Sequence, residues 1–132
     1  ASKRGAAAVA GIEARGFLFG AAIAARLGLG FVPLRKAGKL PVPAIGVDYA
    51  LEYGTARLEL DPTLVEDGEP IILVDDLLAT GGSALAGTQL LRLAGARVDQ
   101  AMFVIDLADL GGTDRLRAAG VTAWALLDFP GH

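Results

Sequence analysis

Cysteine is absent from the 132-residue chain, which excludes both disulfide bonds and thiolate metal sites. Secretion therefore finds no support in the composition, and a cytoplasmic setting is expected. Histidine is nearly absent as well: His132 stands alone at the last position, where a solvated terminus is the plain reading. Acid–base or nucleophilic chemistry built on histidine thus has almost nothing to stand on. Positive charge is not in excess either, since 12 Lys and Arg face 15 Asp and Glu for a net charge of −3. That balance argues against a protein built to coat nucleic acid, while leaving room for a local phosphate site. Long apolar runs are missing. The stretch 5–11, which follows Lys3-Arg4, is too short and too rich in Gly and Ala for a signal or membrane-spanning segment, so no membrane contact is expected. Two common phosphate-binding fingerprints, the lysine-bearing P-loop and G-x-G-x-x-G, are also lacking.

What is present is a chain with 53% hydrophobic and 20% charged residues, the composition of a well-filled core. At this length one domain over 1–132 is expected, burying roughly two-thirds of its unfolded surface. No internal repeat or long linker interrupts it. Residues 6–12 read as a buried strand, 17–27 as a helix stopped by Gly28, and 31–34 as a short strand. That first helix is apolar nearly all round, with Arg26 its one charge, and should be deeply buried or lie at a subunit interface. Residues 35–43, rich in Lys, Gly and Pro, read as an exposed loop, and alternation over 50–60, broken at Gly54, as a hairpin arm. Asp67-Gly68 turns the chain into a strand at 71–74. A helix over 83–93 closed by Gly95, a strand over 100–105, a helix over 113–119 capped by Gly120 and a strand over 121–126 complete the pattern. Strands alternating with helices predict an α/β fold with a mostly parallel sheet. Trp124, in an apolar strand, is expected in the core.

The most informative segment is Ile71-Ile72-Leu73-Val74-Asp75-Asp76-Leu77-Leu78-Ala79-Thr80-Gly81-Gly82-Ser83. An apolar run of four bounded by polar residues reads as a buried strand of a parallel sheet. Acids at the carboxyl end of such a strand sit where open α/β sheets bind ligands. The turn after them offers amides and two hydroxyls at a helix N-terminus, an anion site. Adjacent carboxylates repel, and that hidden cost is commoner at functional sites than in an ordinary solvated strand end. Acids beside a phosphate cradle suit a sugar phosphate, with a divalent metal.

This segment resembles the 5-phosphoribosyl-1-pyrophosphate (PRPP) motif of type I phosphoribosyltransferases. Glu13-Ala14-Arg15-Gly16-Phe17-Leu18-Phe19-Gly20, Arg35-Lys36-Ala37-Gly38-Lys39-Leu40-Pro41, Leu51-Glu52-Tyr53-Gly54 and Phe129-Pro130-Gly131-His132 are similar to the branch of that family that uses adenine. Together they span almost the whole chain. The resemblance implies a Rossmann-like type I phosphoribosyltransferase fold with a flexible lid hairpin. It also implies transfer of phosphoribose from PRPP to adenine, giving AMP and diphosphate, in a homodimeric purine-salvage enzyme.

The roles it implies are these. Ala79, Thr80, Gly81, Gly82 and Ser83 would hold the 5′-phosphate, Ser83 standing where the family more often has Thr. Asp75 and Asp76 would face the ribose hydroxyls, directly or through Mg²⁺ and water. Arg15, in a turn with Glu13 and Ala14 that the family keeps strained, would hold the leaving diphosphate. Lys36 and Lys39 would close over it from a lid, Glu52 would handle a proton at the purine, and Tyr53 would contact the substrate in the closed state. Leu107 would touch the base, although a core role is the plainer reading. The family also carries an N-terminal segment that forms a hood over the purine and is not matched in this sequence, so base-selecting residues are expected to lie largely outside it. Two other readings stay open: transfer to another base (hypoxanthine, guanine, xanthine or orotate), or a PRPP sensor without turnover. Arg15, Lys36, Lys39 and Glu52 count against the sensor, because binding alone does not need a leaving-group apparatus.

Overall fold

The computed structural model describes residues 7–13, 15–36, 44–50, 55–107 and 110–129, with backbone alone for 128 and 129. Strands β1 (Ala8–Ile12), β2 (Gly30–Lys36), β3 (Ile45–Ala50), β4 (Thr55–Leu60), β5 (Pro70–Leu78), β6 (Arg97–Leu107) and β7 (Thr122–Phe129) alternate with helices α1 (Arg15–Leu27), α2 (Gly82–Leu93) and α3 (Gly112–Ala118). They form one seven-stranded sheet in the order β3-β4-β2-β1-β5-β6-β7. Pairing is parallel from β2 through β1, β5 and β6 to β7, and antiparallel where β4 joins β2 and β3. The expected mostly parallel α/β architecture is the one observed.

Under α2 the sheet buries its larger apolar cluster, in which Leu34, Leu58, Leu60, Leu73, Leu90 and Leu91 have no exposed surface. Each such side chain contributes about 1.5–3 kcal/mol on leaving water. A smaller cluster of Val9, Ala24 and Val74 lies under α1. The glycines expected to end helices, Gly28, Gly95 and Gly120, all have positive φ.

Several boundaries differ from the sequence reading. Strand β5 runs on through both aspartates to Leu78, because β6 keeps pairing with it, Asp75 opposite Phe103 and Leu78 opposite Asp106. Arg35 and Lys36 belong to β2 rather than to a loop, since β4 supplies partners for them at Glu59 and Leu58. Residues 37–43 fall outside the described part.

Helix α1 is not deeply buried. Its hidden stripe is Gly16, Gly20 and Ala24, spaced one turn apart, while Leu18, Phe19 and Leu27 are exposed. Small residues let the helix lie almost on the sheet: a methyl group on Gly16 would stand 2.9 Å from the Val74 carbonyl oxygen. The large side chains are thereby left on the outer face. Trp124 is likewise not a core residue, being 57% exposed. It sits opposite Met102 on the edge strand β7, and α1, which lies over β1, β2 and β5, does not extend to cover it.

Candidate active site

The carboxyl ends of β1 and β5 are central neighbours in the sheet, and the turns that follow them face each other. Arg15 opens α1, and Asp75 and Asp76 lie near the end of β5, so side chains some sixty residues apart in sequence meet. Two adjoining cavities result. One, of about 240 Å³, is lined by residues 75–84, the β5–α2 turn. The other, of about 290 Å³, is lined by Ile12, Glu13, Arg15, Lys36, Tyr49, Asp75, Asp76 and Ser83. Asp75, Asp76 and Ser83 border both.

In the first cavity the lining residues from 79 to 84 are all small. Gly81, just before α2, has φ +91°, and no side chain caps the helix. The first-turn amides therefore lack intrahelical partners and retain the positive end of the helix dipole. This end can take an anion without any formal positive charge in the turn itself.

The second cavity is lined by formal charges. Arg15 Nε lies 3.0 Å from Asp76 Oδ2, the arginine side chain 79% exposed and the aspartate 24%. Glu13 Oε1 accepts from the Lys36 amide at 2.9 Å and from Arg35 Nε at 3.4 Å. Arg35 in turn lies over the Phe17 ring, 5.5 Å from its centre. Asp75 is buried, and its Oδ1 accepts from the Asp76 amide at 2.9 Å. Burial pushes the Asp75 carboxyl up from the ordinary 3.8 to about 7; the neighbouring Asp76 carboxylate adds to the rise, while the Asp76 amide and Arg15 oppose it.

The structure thus gathers Glu13, Arg15, Lys36, Asp75, Asp76 and the turn 79–83 around one cleft. Leu107 ends β6 half-buried and lines neither cavity. Ala14, with the strained peptide expected there, and Lys39, Glu52, Tyr53 and His132 lie outside the described residues. Residues 51–54 connect β3 to β4, and the Ala50 carbonyl before them would be 3.9 Å from a methyl group on Gly82. The end of β3 therefore lies at the rim of the first cavity.

Two residues were missed in the sequence. Tyr49 lines the second cavity, and the alternation that marked the hairpin arm would have included it had the arm been started at Ile45. Arg115, on α3, donates from Nη1 to the Thr80 carbonyl at 3.0 Å, and no local pattern announces that contact. Among the described residues, no group of three or more acids or histidines could hold a metal by itself. The two adjacent aspartates beside the uncapped start of α2 would suit Mg²⁺, which binds through few carboxylates and keeps substrate oxygens and water as its other ligands.

Residues 2–118 match the phosphoribosyl transferase domain family. The adenine phosphoribosyltransferase of Novosphingobium aromaticivorans is 66% identical over 128 residues, covering 97% of this chain and 72% of that protein. The chain belongs to the adenine phosphoribosyltransferase family. Among solved structures of that family, the enzyme of Thermoanaerobacter pseudethanolicus superposes with a TM-score of 0.90 at 44% identity, over 97% of this chain and 73% of the other. The Trypanosoma brucei enzyme, solved with AMP, pyrophosphate and ribose-5-phosphate, superposes with a TM-score of 0.85 at 31% identity, over 96% of this chain and 57% of the other. Family membership thus agrees with what the cleft offers: an amide-lined turn, paired acids and basic side chains at the ends of parallel strands. Among the described residues, no helix is long and apolar enough to cross a membrane.

Proposed function

We propose that the protein transfers the 5-phosphoribosyl group from PRPP to N9 of adenine, forming AMP and releasing diphosphate. One observation carries this reading: a single cleft joins an amide-lined anion turn to paired aspartates and then to Arg15 and Lys36. That order matches the order of groups along PRPP, from 5′-phosphate through ribose hydroxyls to diphosphate. The ligands of the trypanosomal relative are the products and a donor fragment of the same reaction.

In this scheme the turn 79–83 holds the 5′-phosphate through backbone amides and the hydroxyls of Thr80 and Ser83. Asp75 and Asp76 accept hydrogen bonds from the ribose hydroxyls and fix C1 of the sugar. The bond from C1 to the diphosphate oxygen breaks ahead of N9–C1 bond formation, so positive charge grows on the ribose as in glycoside cleavage. Arg15, Lys36 and Lys39 neutralise the departing diphosphate. Mg²⁺, held mainly by donor oxygens and water with Asp75 and Asp76 at hand, would share that neutralisation. Glu52 takes part in proton handling at the purine, Tyr53 packs against the closed site, and Glu13 and Ala14 shape the diphosphate turn.

A homodimer is the proposed assembly, supported by the exposed apolar face of α1 at Leu18, Phe19 and Leu27. The cysteine-free composition accords with a cytoplasmic setting.

The test incubates the protein with PRPP, Mg²⁺ and each nucleobase in turn, measuring nucleotide and diphosphate. AMP from adenine is the expected product. Product from another base alone would overturn the acceptor, and PRPP binding without turnover would favour a sensor. In the same assay the double variant Asp75→Ala, Asp76→Ala should bind PRPP at least about 100-fold more weakly, from the loss of charge-assisted hydrogen bonds. Unchanged affinity would remove both residues from the ribose site.

A further inference from the structure

We propose that Arg115 is a positioning residue for the donor's 5′-phosphate, acting by locking the orientation of the Thr80–Gly81 peptide. The proposal rests on the reading of the turn 79–83 as the phosphate cradle.

The guanidinium of Arg115 lies beside the turn and outside the lining of the first cavity. It is not among the residues lining that cavity, which all come from 75–84. From there Nη1 donates to the Thr80 carbonyl oxygen at 3.0 Å. In a planar trans peptide the carbonyl and the following N–H point in opposite directions. Holding the Thr80 oxygen outward on α3 therefore turns the Gly81 N–H toward the cavity.

The lock is needed because Gly81 follows. Glycine populates both signs of φ, so a peptide before it flips at low conformational cost. Gly81 itself stands at φ +91°. The flipped peptide would aim a carbonyl oxygen, rather than an amide hydrogen, at a doubly charged phosphate. A fixed positive charge on the outer side of the turn favours the productive orientation before substrate arrives, which lowers the ordering cost of binding.

Helix α3 is seated closely enough to act this way. A methyl group on Gly112 would come 2.5 Å from the Ala79 carbonyl oxygen and 2.6 Å from Leu78 Cδ1. One on Gly81 would meet the Gly112 backbone at 3.2 Å. The start of α3 is also tied to β6, because Thr113 Oγ1 donates to Asp106 Oδ2 at 3.0 Å. Arg115 is thus anchored on a helix that cannot recede from the turn without breaking this contact.

Calorimetry on the wild type, Arg115→Met and Arg115→Lys tests the proposal, with ribose 5-phosphate and diphosphate as separate ligands and KM measured for PRPP and adenine. In Arg115→Met, ribose 5-phosphate should bind about tenfold more weakly and KM for PRPP should rise in parallel, the cost of one exposed charge-assisted hydrogen bond. Diphosphate affinity, KM for adenine and the melting temperature should stay unchanged, and Arg115→Lys should recover most of the loss. Unaltered ribose 5-phosphate binding in Arg115→Met would overturn the lock, and so would an equal loss for both ligands. A wild type that binds diphosphate but not ribose 5-phosphate would instead overturn the reading of the turn as a phosphate cradle.

Discussion

Around residues 79–83 the cleft is walled by backbone amides, glycines and hydroxyls; around Glu13, Arg15 and Lys36 it is walled by formal charges. The first wall is held from behind, by α3 and the Arg115 contact, and needs no side chain to move before an anion enters. The second is already internally paired, Arg15 with Asp76 and Glu13 with Arg35. On the proposed reading, a diphosphate would draw Arg15 away from Asp76, and a ribose would take Asp76 for itself. In that scheme one end of the donor would meet a preorganised surface and the other would meet charges that change partners. That exchange suits the end where bonds break, since the arginine is released toward the group on which negative charge develops.

Substituting Arg15 breaks the comparison most severely. Arg15→Met should lower kcat/KM for PRPP by about 10²–10³-fold, the usual loss for one donor to developing charge. Ribose 5-phosphate binding should hold or improve, because Asp76 loses its competing partner. Steady-state kinetics alongside calorimetry would check both halves, and a matching loss of ribose 5-phosphate affinity would mean the two walls are not independent.

A smaller effect is expected at the preorganised end. Gly81→Ala places a side chain at φ +91° and 3.2 Å from Gly112, for a combined cost of about 1–3 kcal/mol in stability. KM for PRPP should rise several-fold while diphosphate binding is spared, as thermal melts and kinetics would show. Full stability with unchanged KM would mean that the turn tolerates another backbone shape.

The smallest effect concerns pH. Because burial raises Asp75 to about 7, the folded protein keeps a proton that the unfolded chain releases above about 3.8. Its contribution to stability is complete below that window and declines as pH rises from about 4 to 7. In metal-free buffer without substrate, Asp75→Asn should therefore gain on the wild type progressively as pH rises from about 4 to 7, the gain at pH 8 exceeding that at pH 5 by on the order of 2 kcal/mol. Denaturant melts at the two values would decide it; a constant difference would place the proton elsewhere.

Much of this was legible in the chain. An apolar run ending in Asp75-Asp76 and a small-residue turn identifies a strand, a ligand-facing end and a helix start through purely local chemistry. The glycines after each helix were equally plain, because a left-handed residue is a local requirement. Where reading failed, the missing information was a neighbour. Nothing near Asp75 signals that β5 continues past it, since β6 decides that. Trp124 looked like core because it lies in an apolar run, but its exposure follows from where α1 stops short across the sheet. Tyr49 was overlooked at the edge of a pattern that began a few residues too late. Arg115 had no pattern at all: its carbonyl partner is thirty-five residues away.

The amino-acid sequence alone determined the alternation of strands and helices and the acid pair beside the anion turn. Those follow from periodicity, backbone restriction and side-chain type, which act over a few residues. Tertiary structure decided that Arg15 meets Asp76, that Asp75 is buried, and that α3 braces the turn from outside. Such facts depend on which chain segments become neighbours, and burial and charge pairing exist only once they do.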